Sequence, residues 1–204
     1  LLFPGQVNAV LLPDGLLTQR FPFLHSFIPG FLKKGFEKEQ LLHPDIAQPA
    51  VVATSLFALK LLEKMGIQST VALGHSVGEI TALAWAGILK EEAAMQLTTF
   101  RGKLMHESIA VKGKMVSVRI TYHDPVLEEV IKDTGVFIAC INSPSQIVLS
   151  GSKYEIEKAS ELFNEKNIAL SLLKVENAFH SSLMRKVEAP FQDYLSGLNF
   201  FEAR

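Results

Sequence analysis

The chain has 204 residues, 48% hydrophobic and 20% charged, with a formal net charge of −1; it is long enough to bury a core in one or two folding units. It carries neither the basic footprint of a nucleic-acid-binding protein nor a polybasic membrane segment. The single Cys140 excludes an intrachain disulfide, no uninterrupted apolar stretch is long enough to cross a bilayer, and the first residues lack a signal-peptide layout, so a reducing cytoplasm is expected.

The chain opens on the strand-like Leu1-Leu2-Phe3 and stops at Arg204 with no element completed, as a piece of a longer protein would. Pro13 to Leu42, dense in Phe, Pro and Gly, reads as loop and short helix. From Pro49, the spacing of Val52, Leu56, Leu59 and Leu62 predicts a helix that feeds Gly66. The apolar run Val71-Ala72-Leu73 is expected as a buried strand. After Gly74-His75-Ser76-Val77-Gly78, Ile80, Leu83, Ala84, Gly87 and Ile88 share one helical face, and the small residues Ala82, Ala84, Ala86 and Gly87 let that helix lie close to a sheet. This strand–helix alternation favours a parallel sheet covered by helices.

From Lys114 the texture changes. Met115–Val118 reads as a strand and Val126–Lys132 as a short helix. Val136–Ile141 and Ile147–Leu149 read as strands around an Asn-Ser-Pro-Ser turn, with Cys140 as a small core thiol. Tyr154–Lys166 is helical with a solvated Lys/Glu face, and Ile168–Val175 is a last strand. The β-α-β-β-α-β order is that of a ferredoxin-like unit. The expected fold is therefore α/β: a hydrolase-like parallel sheet core with a nucleophile elbow, plus an inserted ferredoxin-like α+β subdomain. The expected boundaries are 1–112, 113–175 for the insert, and 176–204 for the return to the first unit.

A glycine-flanked serine between a strand and a helix is the nucleophile-elbow pattern, which presents Ser76 at a helix N-terminus where backbone N–H groups can hold an oxyanion. The plainer alternative is a Gly-Ser turn ahead of an ordinary core helix. A serine nucleophile needs a base, and histidine suits the task. His75 adjoins Ser76 and points away from it, as a loop support. His25 and His43 lie in the early Phe/Pro-rich segment, His106 on a helix with polar neighbours, and His123 beside a turn-forming Asp-Pro. His180 lies where the insert ends and the chain returns, at a junction of the kind that forms clefts. Arg101 reads either as a substrate-binding guanidinium or as a solvated arginine near a helix end.

Phe3-Pro4-Gly5-Gln6, Gln48-Pro49, Gly74-His75-Ser76-Val77-Gly78-Glu79, Arg101-Gly102-Lys103-Leu104-Met105 and Ala178-Phe179-His180-Ser181 occur in one order and spacing. In these motifs the chain resembles the malonyl-CoA:acyl-carrier-protein acyltransferases, most of all the acyltransferase domains of polyketide synthases, over nearly its whole length. The resemblance implies Ser76 as nucleophile, His180 as base, and the backbone N–H groups of Gln6 and Val77 as the oxyanion hole. It implies Arg101 as the clamp for the malonyl carboxylate, Phe179 as the residue that disfavours a methylmalonyl branch, and Gln48 and His75 in the substrate site. No resident cofactor or metal is implied. The partners implied are an acyl-CoA, an acyl carrier protein and the other domains of a multidomain synthase. The sequence departs from the family where Val7 follows Gln6 in place of a glycine, and at Asn177, where the malonyl version most often has histidine. A serine thioesterase and a non-catalytic carrier-docking module are the competing readings.

Overall fold

The computed structural model describes residues 1–6, 19–23, 39–107, 113–175 and 177–203. Most of the expected loop and short helix between Pro13 and Leu42, together with His25 and Val7–Val10, lies outside the described residues. The chain divides into two compact units, one of Leu1–Glu107 with Pro190–Arg204 and one of Ser108–Ala189. Both combine helices with strands, an α/β fold.

In the first unit, β1 (Leu2–Phe3) and β2 (Leu73–Gly74) pair in parallel, Leu2 opposite Leu73 and Phe3 opposite Gly74. The Leu73 and His75 N–H groups donate to the Leu1 and Phe3 carbonyls at 2.9 and 3.0 Å. The expected buried strand Val71–Leu73 is corrected here: Val71 and Leu73 are each 63% exposed. Among the described residues only β1 pairs with β2, so this apolar run has no second neighbour to cover it.

Helix α1 (Pro44–Lys64) begins five residues before the predicted Pro49. Pro44 stands in its first turn, where a missing N–H costs no intrahelical bond, and the interior Pro49 is buried with Ala47, Gln48, Ala50, Val51 and Val52. By length and composition α1 is apolar enough to cross a membrane, although polar residues interrupt it, and 56% of its most apolar window is buried inside the protein, as in a core helix. Helix α2 (Gly78–Trp85) stops because Gly87 takes φ 77°, and the Ile88 and Gly87 N–H groups bond back to the Leu83 and Ala84 carbonyls at 3.0 and 3.1 Å. Gly87 is thus a terminator rather than part of the apolar face, and Leu89 replaces Ile88 in the core.

Helix α3 (Glu91–Glu107) packs along α1. At the crossing a Cβ on Gly102 would meet the Pro44 carbonyl and lie 3.0 Å from Asp45 Cα, so glycine sets how closely the helices approach. The core joins Val51, Val52, Leu56, Val77, Ile80, Leu89 and Leu97. Against it pack Phe191, Tyr194 and Leu195, from the part of α6 (Glu188–Ser196) that belongs to this unit. The Tyr194 ring stacks on Phe100 at 4.1 Å.

The second unit runs β3 (Gly113–Val118), α4 (Pro125–Thr134), β4 (Phe137–Ser143), β5 (Gln146–Ser152), α5 (Lys153–Glu165) and β6 (Leu170–Leu172). Its four strands form one antiparallel sheet in the order β4-β5-β3-β6. Alternation along β3 and β5 turns Val116, Val118, Ile147 and Leu149 into a core with Leu127, Val130, Ile156, Ala159 and Phe163 of the helices. The helix ends obey local chemistry. The Asp124 side chain caps α4 and Gly135 ends it at φ 78°, while Ser152 and Glu155 form a reciprocal capping box on α5. Strand β4 is an edge strand with register shifts, so Cys140 is half-buried rather than a core thiol, and its partial burial raises the thiol pKa. Strand β6 is shorter than the predicted Ile168–Val175.

The second unit also reaches past the expected boundary at 175. A Cβ on Gly113 would meet the Ala178 side chain and sit 2.6 Å from the Ala178 nitrogen, so the start of β3 and the segment after Asn177 are packed together. The 3₁₀ turn Ser182–Val187 follows in the same unit.

Candidate active site

Between β2 and α2 the chain reverses within Gly74–Gly78, and Ser76 sits at its apex with φ 52°. A non-glycine residue in that region costs about 1–2 kcal/mol, so the surroundings must hold it there. Three glycines allow this. A Cβ on Gly74 would run into the Gly78 and Glu79 backbone, and one on Gly78 would meet the Phe3 carbonyl and lie 2.6 Å from the Pro4 oxygen. A Cβ on Gly5 would stand 2.6 Å from His75 Nδ1 and 2.8 Å from the His75 carbonyl oxygen. The segment after β1 is therefore pressed against the serine turn with no room for a side chain between them.

The Gly78 and Glu79 N–H groups donate to the His75 and Ser76 carbonyls at 2.9 and 3.0 Å. The Val77 N–H stands ahead of these first bonds, at the positive end of α2. Val77 is buried, Ser76 half-buried and His75 exposed. Nearby, Gln6 Nε2 donates to the Leu42 carbonyl at 3.1 Å, while its buried Oε1 has no hydrogen-bond partner among the described residues.

Arg101 and Met105, one turn apart on α3, face Gln48 on α1. Arg101 Nη1 donates to Gln48 Oε1 at 2.6 Å, and Gln48 Nε2 contacts Met105 Sδ at 3.2 Å. Gln48 is only 2% exposed. Burial lowers the pKa of the Arg101 guanidinium, with Glu79 acting in the opposite direction. Among the described residues no carboxylate forms an ion pair with Arg101. A desolvated cation held by a neutral amide is ready to receive an anion. Sequence reasoning named Arg101 and Gln48 but gave Met105 and Gly5 no role. The Arg-x-x-x-Met spacing on a helix was the available signal for Met105.

In the second unit Asn177 and Ala178 are buried, Phe179 is half-buried and His180 is exposed. His180 takes φ 60°, so both residues named for the chemistry, Ser76 and His180, are held in the left-handed region. The turn is braced by Ser181, whose Oγ donates to the Ala178 carbonyl at 2.7 Å and accepts from the Leu183 N–H at 3.3 Å. Gln6, Gln48, His75, Ser76, Val77 and Arg101 belong to the first unit, Phe179 and His180 to the second.

Residues 33–199 match the model of the acyl transferase domain. The chain belongs to the acyl transferase domain family. Among relatives of this family, it is 38% identical over 143 residues to the PKS-NRPS hybrid synthetase ATPKS of Aspergillus niger, covering 69% of this chain and 8% of that protein. The solved acyltransferase domain from the second module of the salinomycin polyketide synthase superposes with a TM-score of 0.86 at 30% identity, covering 98% of this chain and 50% of that one. A type II polyketide synthase acyl-carrier protein complexed with its malonyl-transacylase gives a TM-score of 0.87 at 26% identity, covering 99% and 71%. The chain thus spans less than a tenth of the synthetase and half of the salinomycin acyltransferase chain.

Proposed function

We propose that this acyl transferase domain moves a malonyl group from malonyl-CoA, through an acyl-serine, to the phosphopantetheine thiol of an acyl carrier protein in polyketide or fatty acid synthesis. The observation that carries this reading is the half-buried Arg101, whose partly desolvated guanidinium is held by Gln48 with no carboxylate ion pair among the described residues. Its planar fork accepts a carboxylate bidentately, and a malonyl group offers one where an acetyl group does not.

The strained turn at Ser76 serves as a nucleophile elbow. Ser76 Oγ attacks the thioester carbonyl carbon as His180 takes the hydroxyl proton, and the oxyanion is held by the Val77 and Gln6 N–H groups. The tetrahedral intermediate collapses with loss of the coenzyme A thiolate, which takes the proton from His180. In the second half-reaction the carrier thiol gives its proton to His180 and attacks the acyl-serine carbonyl, and the bond from the acyl carbon to Ser76 Oγ breaks as His180 returns the proton to that oxygen. Each oxyanion donor contributes on the order of 3 kcal/mol in such sites. His75, pressed on Gly5, supports the loop. The role assigned to Phe179 is to disfavour methylmalonyl, since an aromatic ring beside the base would leave less room for a 2-methyl branch, a preference of about 1–3 kcal/mol.

The β3-α4-β4-β5-α5-β6 unit is read as the ferredoxin-like subdomain, supported by its strand order. The carrier partner is supported by the related malonyl-transacylase solved with its acyl-carrier protein, and further synthase domains by the multidomain relatives. The reaction calls for no resident cofactor, since the phosphopantetheine arrives on the carrier, and a cytoplasmic site fits its substrates. The test is transfer of labelled malonyl from malonyl-CoA to a phosphopantetheinylated carrier protein. Transfer lost in Ser76→Ala and in His180→Ala supports the reading, and transfer that survives either change overturns it.

A further inference from the structure

The Gly102 contact that brings α3 against the start of α1 has a second effect one turn later. It sets His106, in the last turn of α3, beside His43 and Asp45 at the start of α1. One ligand atom from each of His43, Asp45 and His106 lies within 4.8 Å of the other two. The His43 and His106 rings stack at 5.0 Å. His106 Nδ1 and Asp45 Oδ1 stand 3.7 Å apart, too far for a hydrogen bond, and both are buried atoms with no hydrogen-bonding partner among the described residues. Leaving two such atoms unsatisfied is costly, and a group that accepts both would remove the cost.

We propose that His43, Asp45 and His106 form a binding site for a divalent transition cation, with zinc the best match. Around a tetrahedral zinc with ligands at about 2.0–2.1 Å, ligand atoms lie about 3.3 Å from one another. The 3.7 Å spacing of His106 and Asp45 is already close to that value and needs only a small side-chain adjustment. Two imidazoles and one carboxylate suit zinc, nickel or cobalt, and all-oxygen sites suit magnesium or calcium instead. Three protein ligands leave a fourth position for water, and the side chains of His106 and Asp45 are about one-third exposed, which gives an entry path. The carbonyl end of α3 favours a cation, and the Asp45 carboxylate offsets the opposing N-terminus of α1. The ion would tie together the ends of the two helices that carry Gln48 and Arg101.

The test is calorimetric titration of the 204-residue chain with zinc near neutral pH, with cobalt(II) visible spectra as a second readout. One equivalent is expected to bind, and His43→Gln, Asp45→Asn and His106→Gln should each weaken binding at least tenfold, while His123→Gln leaves it unchanged. Circular dichroism checks that the variants fold. X-ray absorption at the zinc edge of the unsubstituted chain should show a shell of nitrogen and oxygen with two imidazoles, which keeps the test decisive if a variant fails to fold. Absence of saturable uptake, uptake undiminished in all three variants, or a shell lacking imidazole overturns the proposal.

Discussion

Replacing Arg101 with alanine separates a substrate clamp from a structural arginine. The guanidinium is held at 2.6 Å by Gln48, and its pKa is lowered by burial. A hydrogen bond to a charged group contributes about 1.5–3 kcal/mol, and breaking a fully buried charge pair costs about 3–5. Arg101 is half-buried, so about 3 kcal/mol is the appropriate figure, and at 1.4 kcal/mol per decade this is about 150-fold in kcat/KM. The assay is acyl-enzyme formation from malonyl-CoA and acetyl-CoA in parallel. The malonyl rate should fall about 150-fold while the acetyl rate stays within about threefold, because acetyl has no carboxylate for the clamp to hold. An equal fall with both donors would make Arg101 a structural residue, and an unchanged malonyl rate would remove the clamp altogether.

Gly78→Ala should destabilise the chain by about 2 kcal/mol, read from the urea midpoint, because its Cβ meets backbone carbonyls of Phe3 and Pro4 that cannot swing aside. That overpacking exceeds the gain of about 1 kcal/mol that alanine makes over glycine in a helix. Phe163 is fully buried in the second core, so Phe163→Ala should cost about 4 kcal/mol, whereas alanine at the 73% exposed Tyr154 should change stability by less than about 0.5. Lys60 has its pKa raised, first by its bond to Glu91. A group raised on folding contributes stability below its unfolded pKa and loses it as pH climbs through the folded one. The Lys60–Glu91 contribution, at most about 1 kcal/mol for a pair still reached by solvent, should therefore be constant from neutral pH to about 10 and shrink above that, measured as wild type minus Glu91→Gln.

Where the signal is local, the sequence and the fold agree in detail. In the second unit alternation marks Val116, Val118, Ile147 and Leu149, and the Asp124-Pro125 and Pro144-Ser145 signals sit at element ends. The first unit was harder because its decisive contacts are far apart in sequence. Gln48 meets Arg101 across 53 residues, and no periodicity marks that pairing. Val71 and Leu73 are apolar yet exposed, so hydrophobicity alone misplaced them. Pro44 lies ahead of the helix predicted from Pro49 and is the first residue of a 21-residue helix. The strain at Ser76 was legible only as flanking glycines. That Gly5 presses on the same turn from the other end of the fold was not legible, since it depends on β1 pairing with β2. His43 and His106 read as unremarkable histidines because Asp45, which joins them, is seen beside both only once α3 crosses α1.

Intact-protein mass spectrometry after brief exposure to malonyl-CoA, with peptide mapping of any adduct, bears most directly on the central claim. A single malonyl adduct located on Ser76 and absent in Ser76→Ala is the predicted result. An adduct at another residue, or none from malonyl-CoA in a chain shown to be folded, would contradict the assignment of Ser76 as the acyl-accepting nucleophile.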